Sequence, residues 1–288
     1  MNPSEFHSSR KFAQTPFGRI AYVERGQGPP ALFLHGLPLC GYQWRGVLED
    51  LAALRRLIAP DLMGLGYSDI PAPQDISFAE QARMLAGFLD VLGIDAVDLC
   101  GNDTGGGISQ IFATLYPQRV RTLTLTNCEV HDRWPNKMLE GFYQAIEAGL
   151  LATGMKAMLH DLELARAQLG AAFEYTGTLT AELVALYFQP LVASDQRIAQ
   201  LRQFSEWTRN RSQLVEAAPA LKASNIPAQV IWGEADTVFD PSPSLDWLRS
   251  NLGGLRKITS VPRAKLFFPE EHPRLLSVLL KEFWESVN

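Results

Sequence analysis

"DLCGNDTGGGISQ", residues 98–110, decides the fold. An apolar run ends at Cys100. Gly101, Gly105, Gly106 and Gly107 then crowd around Asp103, and a helical pattern starts with no intervening loop. The order is strand, very tight turn, helix. Gly101-Asn102-Asp103-Thr104-Gly105 has the Gly-x-nucleophile-x-Gly spacing of a nucleophile elbow. Such a turn strains the backbone of its central residue, and the flanking glycines give it room. The central side chain then projects above the sheet edge at a helix N-terminus. Free N–H groups and the positive end of the helix dipole favour an ionised carboxylate there. A glycine-rich turn with Asp103 as an ordinary helix cap satisfies the same short pattern, so the surrounding chain has to decide between them.

Strand and helix patterns alternate on both sides of the turn. "RKFAQTPFGRIAYVERG" (10–26) predicts two strands, and "PALFLHG" (30–36) is a short apolar run suited to a strand buried on both faces. "GYQWRGVLEDLAAL" (41–54) has helical periodicity, "RRLIAPDL" (55–62) is a strand, and "SFAEQARMLAGFLDVLG" (77–93) is a helix opened by Ser77 and Glu80 as a capping box. A strand at "AVDLC" (96–100), the helix after the elbow, stopped before Pro117, and a strand at "RTLTLTNC" (121–128) complete the first part. From Glu129 to Ala218 the alternation gives way to helical, aromatic-rich sequence. It resumes with "AQVIWGEAD" (228–236), "SPSLDWLRSNLGG" (242–254), "LRKITSVP" (255–262) and "HPRLLSVLLKEFWESV" (272–287). The expected fold is α/β, a mostly parallel sheet flanked by helices. Residues 1–128 and 219–288 form its core, and residues 129–218 form a helical insertion.

Composition narrows the function classes. The chain has 288 residues, 47% of them hydrophobic, enough for a sizeable core. A formal net charge of −5 supplies no basic face for nucleic acid. No apolar run is long enough to span a membrane. "MNPSEFHSSRKF" (1–12) lacks the apolar centre of a signal peptide and reads as a tail, so a cytoplasmic enzyme is the default expectation. Cys40, Cys100 and Cys128 have no metal-ligand spacing and read as buried thiols.

Three further segments fit the elbow. "LFLHGLP" (32–38) places His35-Gly36-Leu37-Pro38 after a strand, "APDLMGLGYSD" (59–69) follows the next strand, and "VIWGEAD" (230–236) ends with Asp236 just past a strand. With these residues the chain resembles the α/β-hydrolase superfamily, and within it the branch of haloalkane dehalogenases and epoxide hydrolases, whose elbow residue is Asp. The resemblance runs from about Phe17 to the C-terminus and is weakest in the insertion, which corresponds to the family's cap. It implies a small, largely apolar electrophilic substrate (epoxide-, alkyl-halide- or lactone-like) and neither metal nor organic cofactor. Asp103 would displace a leaving group at a saturated carbon and form an ester. The backbone N–H groups of Leu37 and Thr104 would form the oxyanion hole, and Asp236 would orient a histidine. The pocket candidates are His35, Pro38, Trp134, Tyr143, Trp207 and Leu266.

Two departures from that family stand out. Relatives read His-Phe-x-x-Glu-Glu/Asp after the last strand, where this chain reads Leu266-Phe267-Phe268-Pro269-Glu270-Glu271. The base position is therefore Leu266, and His272 reads as a residue at the start of a helix. His131 follows a strand's C-terminal end, where ligands bind in α/β folds. It is either a relocated base or a hinge hydrogen-bonding residue. The second departure is in halide binding: Thr104 stands where dehalogenases carry Trp after the nucleophile, and Leu37 where some carry Asn. Epoxide hydrolases use cap tyrosines to protonate an alkoxide, and Tyr143, Tyr175 and Tyr187 are candidates for that role or for core packing. Without a general base, worth typically ~10²–10⁴-fold, three readings stay open. They are a hydrolase with another water activator, a lyase, isomerase or cyclase on the same pocket, and an inactive ligand-binding relative.

Overall fold

The computed structural model describes residues 1–134 and 139–287. Eight strands form one sheet: β1 (Lys11–Thr15), β2 (Gly18–Arg25), β3 (Pro30–Leu34), β4 (Arg56–Pro60), β5 (Val97–Asp103), β6 (Val120–Cys128), β7 (Ala228–Gly233) and β8 (Leu255–Val261). Their order is β1-β2-β4-β3-β5-β6-β7-β8. β2 runs antiparallel to both β1 and β4, and every other pairing is parallel. Each residue of β5 is buried, because helices cover both faces of the central strands. After β3 the chain goes to one side for β4 and to the other for β5. The crevice beyond the carboxyl ends of β3 and β5 is thus a topological switch point, where such sheets bind ligands. Leu37 follows β3 and Asp103 ends β5, so this crevice receives both.

β5 passes straight into the helix Thr104–Leu115, which ends just before Pro117 as the sequence implies. The helix lies so close to β3 that a Cβ on Gly105 would overlap the Leu34 carbonyl, which is backbone and has nowhere to go. Gly105→Ala is therefore expected to destabilise the protein by ~1–3 kcal/mol, the usual range for overpacking. A denaturant midpoint unchanged from wild type would contradict this close approach.

Two helix starts differ from expectation. The capping box at Ser77 is half formed: Ser77 Oγ accepts from Glu80 N at 3.3 Å, but the Glu80 carboxylate pairs with Arg83. Ser77 N donates to Asp75 Oδ1 instead. The expected N-terminal tail holds a helix, Pro3–Ser9, with a complete capping box between Asn2 and Glu5. The buried Phe6 ring anchors it edge-on to Tyr42, with centroids 5.0 Å apart.

The insertion is helical, with helices at Glu140–Glu147, Leu151–Met158, Leu162–Leu169, Ala181–Phe188 and Asp195–Arg209. The next helix, Ser212–Ala223, packs on the elbow helix and so continues the core. The boundary expected at residue 218 falls inside it. Among the described residues no helix is long and apolar enough to cross a membrane.

Candidate active site

Asp103 sits at the turn between β5 and its helix with φ 53° and ψ −133°, a region that non-glycine residues rarely occupy. Cross-links just below it hold the strain. The buried Asn102 side chain donates to the carbonyls of Thr126 (3.2 Å), Asn127 (3.2 Å) and Leu266 (3.0 Å). Its Oδ1 accepts from Gln43 Nε2 at 2.5 Å. One amide thus ties the elbow to β6, to the segment after β8 and to the loop after β3.

Asp103 Oδ2 accepts from Leu37 N at 2.8 Å, and the Thr104 N–H also points to the carboxylate. The two expected oxyanion donors converge. Gly36 makes this possible, because any Cβ there would overlap the Asp103 carboxyl. His35 fixes the loop from behind. It is fully buried, with Nδ1 2.9 Å from the Gly36 carbonyl and Nε2 accepting from Leu62 N at 3.0 Å. Burial lowers its pKa, so the imidazole is neutral, with its proton on Nδ1.

Above Asp103 lies a cavity of about 690 Å³, the size of a small-molecule site. Its floor is core: Leu37, Pro38, Asp103, Thr104 and Leu266. Its roof is insertion: Trp134, Tyr143, Met155 and Phe188 among others. Trp134 spends its indole N–H on the Thr208 carbonyl at 2.7 Å, and the Tyr143 hydroxyl lies 3.3 Å from Thr208 Oγ1. Among the described residues that line the cavity there is no lysine, arginine or histidine.

Several expected site residues lie elsewhere. His131 has a left-handed backbone, with φ 51°. The ring stacks on Trp247 at 4.9 Å and bonds Asp132 at 2.7 Å, off the cavity wall. Asp236 is buried behind the wall. Its carboxylate accepts from Asn127 Nδ2 at 2.7 Å and Val238 N at 2.8 Å, so it braces a loop and has no imidazole to orient. Burial raises its pKa to about 6. Trp207 also misses the wall, which takes its neighbour Thr208. His272 pairs with Glu174 at 2.8 Å, away from the cavity. Of the other tyrosines, Tyr187 donates to Glu270 at 2.9 Å in the core, and Tyr175 is exposed.

In place of a histidine the cavity holds a second carboxyl, Glu129, the residue after β6. It is buried, and its Oε2 has no hydrogen-bond partner among the described residues. Burial raises its pKa to about 8, against the pull of its own N–H and of Thr104. Burial also raises Asp103, and Glu129 adds to that, while the N–H groups of Leu37 and Thr104 pull it back. Two neighbouring carboxyls, with no cation among the described lining residues, titrate as a pair. The charge belongs on Asp103, which accepts from the Leu37 N–H at a helix N-terminus with the Thr104 N–H favouring its charged form, and the proton on Glu129, which has an oxygen with no donor among the described residues. Glu129 has no motif around it. Its one sequence signal is its position at a strand's carboxyl end, the same ground on which His131 was a candidate.

Residues 29–258 match the family described as alpha/beta hydrolase fold, and the chain belongs to that family. It is 27% identical over 286 residues to haloalkane dehalogenase 2 of Mycobacterium tuberculosis, covering 98% of this chain and 97% of that one. A 120-residue stretch is 40% identical to epoxide hydrolase 2 of Siraitia grosvenorii, covering 41% of this chain and 38% of that one. Among solved structures, epoxide hydrolase CorEH superposes with a TM-score of 0.79 at 24% identity, covering 97% of this chain and 99% of that one. These relatives include proteins named for the branch that the Asp elbow suggested.

Proposed function

We propose that this chain hydrolyses a small, uncharged, largely apolar electrophile with a strained C–O ring, of the epoxide type, through an ester on Asp103. The observation that carries the reading is the Asp103 carboxylate, held by the Leu37 N–H on the floor of an apolar cavity. One oxygen is fixed in the oxyanion hole and leaves the other to attack. The absence of a cation among the described cavity residues disfavours carboxylated or phosphorylated substrates. A halide leaving group is also disfavoured, since Trp134 commits its N–H to Thr208. The names of the relatives, haloalkane dehalogenase and epoxide hydrolase, agree with attack at saturated carbon.

Leu266 on the cavity floor favours a second reading, in which Asp103 is an acid–base group in an elimination, isomerisation or ring closure without water. Turnover of styrene oxide in heavy-oxygen water separates the two. Hydrolysis through an ester places heavy oxygen in the Asp103 carboxylate, because water attacks the ester carbonyl there. A digest with labelled product and unlabelled Asp103 would exclude the ester route, and consumption of epoxide without water uptake would favour the second reading.

A further inference from the structure

We propose that Glu129 is the proton donor and acceptor of this site and takes over the water activation that Leu266 cannot provide. The inference deepens the Asp103 reading and rests on it. Four observations carry it. Glu129 lines the cavity beside Thr104. It is buried, and its Oε2 has no partner among the described residues. Its backbone is pinned, since Gln110 Nε2 donates to the Glu129 carbonyl at 2.7 Å. No imidazole among the described residues reaches the cavity to compete for the role.

Among the described residues, the titratable groups around Glu129 leave one partner for its proton. Cys128 precedes it on β6, Tyr143 faces it from the insertion, and Asp103 faces it from the elbow. Asp236, behind the wall, acts on Asp103. Burial pushes the Cys128 thiol and the Tyr143 phenol up, so both stay neutral. Glu129 and Asp103 therefore exchange protons with each other and with the substrate.

The steps balance. The Asp103 carboxylate attacks a ring carbon, the C–O bond breaks, and the ring oxygen takes the Glu129 proton. A hydroxyalkyl ester and a Glu129 carboxylate result. That carboxylate takes a proton from water as the water oxygen adds to the ester carbonyl, whose oxyanion the Leu37 and Thr104 N–H groups hold. The tetrahedral adduct expels the alkoxide, which takes the proton back from Glu129 and leaves as the diol. Asp103, left as the acid, passes its proton to Glu129, and the pair is restored with water consumed.

Styrene oxide is the probe. Wild-type consumption is expected to fall at alkaline pH, where Glu129, held above the usual carboxylate range by burial beside an ionised Asp103, loses its proton. In Glu129→Gln turnover should drop by ~10²–10⁴-fold, the fall near that pH should vanish, and an ester of styrene oxide should accumulate on Asp103. Glu129→Asp should recover part of the rate and the pH dependence. Glu129→Gln with wild-type turnover and pH profile would overturn this inference and leave the Asp103 ester standing. A wild type that neither consumes styrene oxide nor forms an ester overturns the Asp103 reading and this one with it. Should Glu129→Gln fail to fold, a wild-type profile flat across that pH is enough to overturn the role.

Discussion

Asp103→Asn is expected to lower styrene oxide turnover by ~10⁴–10⁶-fold, the scale seen when a covalent nucleophile is lost, and to leave no adduct on the protein. An amide has no charged oxygen to displace the ring C–O bond. Its carbonyl can still accept the Leu37 N–H, and asparagine tolerates a positive φ better than most residues, so the turn keeps its shape. The variant should therefore remain folded, with far-UV dichroism and melting no worse than wild type. The loss is then chemical, and it should appear in kcat, with KM nearly unchanged, because the apolar walls that bind the substrate are untouched. Residual turnover above about a hundredth of wild type would place the nucleophile elsewhere. An adduct mapped to another residue would do the same.

How far the site was legible in the sequence depends on the distance over which each feature is determined. The elbow is local. Gly101, Asp103 and Gly105 set its geometry within one turn of chain, and the adjoining strand and helix show their own periodicity. The sheet is legible for the same reason, since short apolar runs between helices leave few alternatives. Side-chain direction is not local. Asp236 has the residue type and chain position of a triad acid and His131 the residue type of a base, yet Asp236 turns to Asn127 and His131 stacks on Trp247. Trp207 and Thr208 differ by one position on a helix, about 100° of rotation, and the cavity takes Thr208. Glu129 is the strongest case. A lone acid after an apolar strand is unremarkable until the fold buries it beside Asp103 under Tyr143.

That burial has a thermodynamic consequence at neutral pH. Glu129 rises from an ordinary glutamate value of 4.5 to about 8 on folding. Between those values the folded protein holds a proton that the unfolded chain has released. The unfolded state binds fewer protons, so stability falls as pH rises, by about 1.4 kcal/mol per pH unit. Below the window both states are protonated and the slope vanishes; above it both are ionised and the full penalty remains. Across the window the loss is on the order of 5 kcal/mol, a large share of the 5–15 kcal/mol typical of a domain. Asp236, raised to about 6, and Asp103 add slopes of the same sign. Glu129→Gln removes this contribution while keeping shape and a hydrogen-bonding end. It should therefore be more stable than wild type near pH 8, by up to several kcal/mol, and nearly equal to it near pH 4. Urea unfolding across that range reads the difference directly. Parallel curves for the two proteins would mean that Glu129 titrates as an ordinary exposed acid, and the shared proton would be lost with it. A variant that is more stable but slower is the pattern of a site whose reactive groups are held at a cost to the fold.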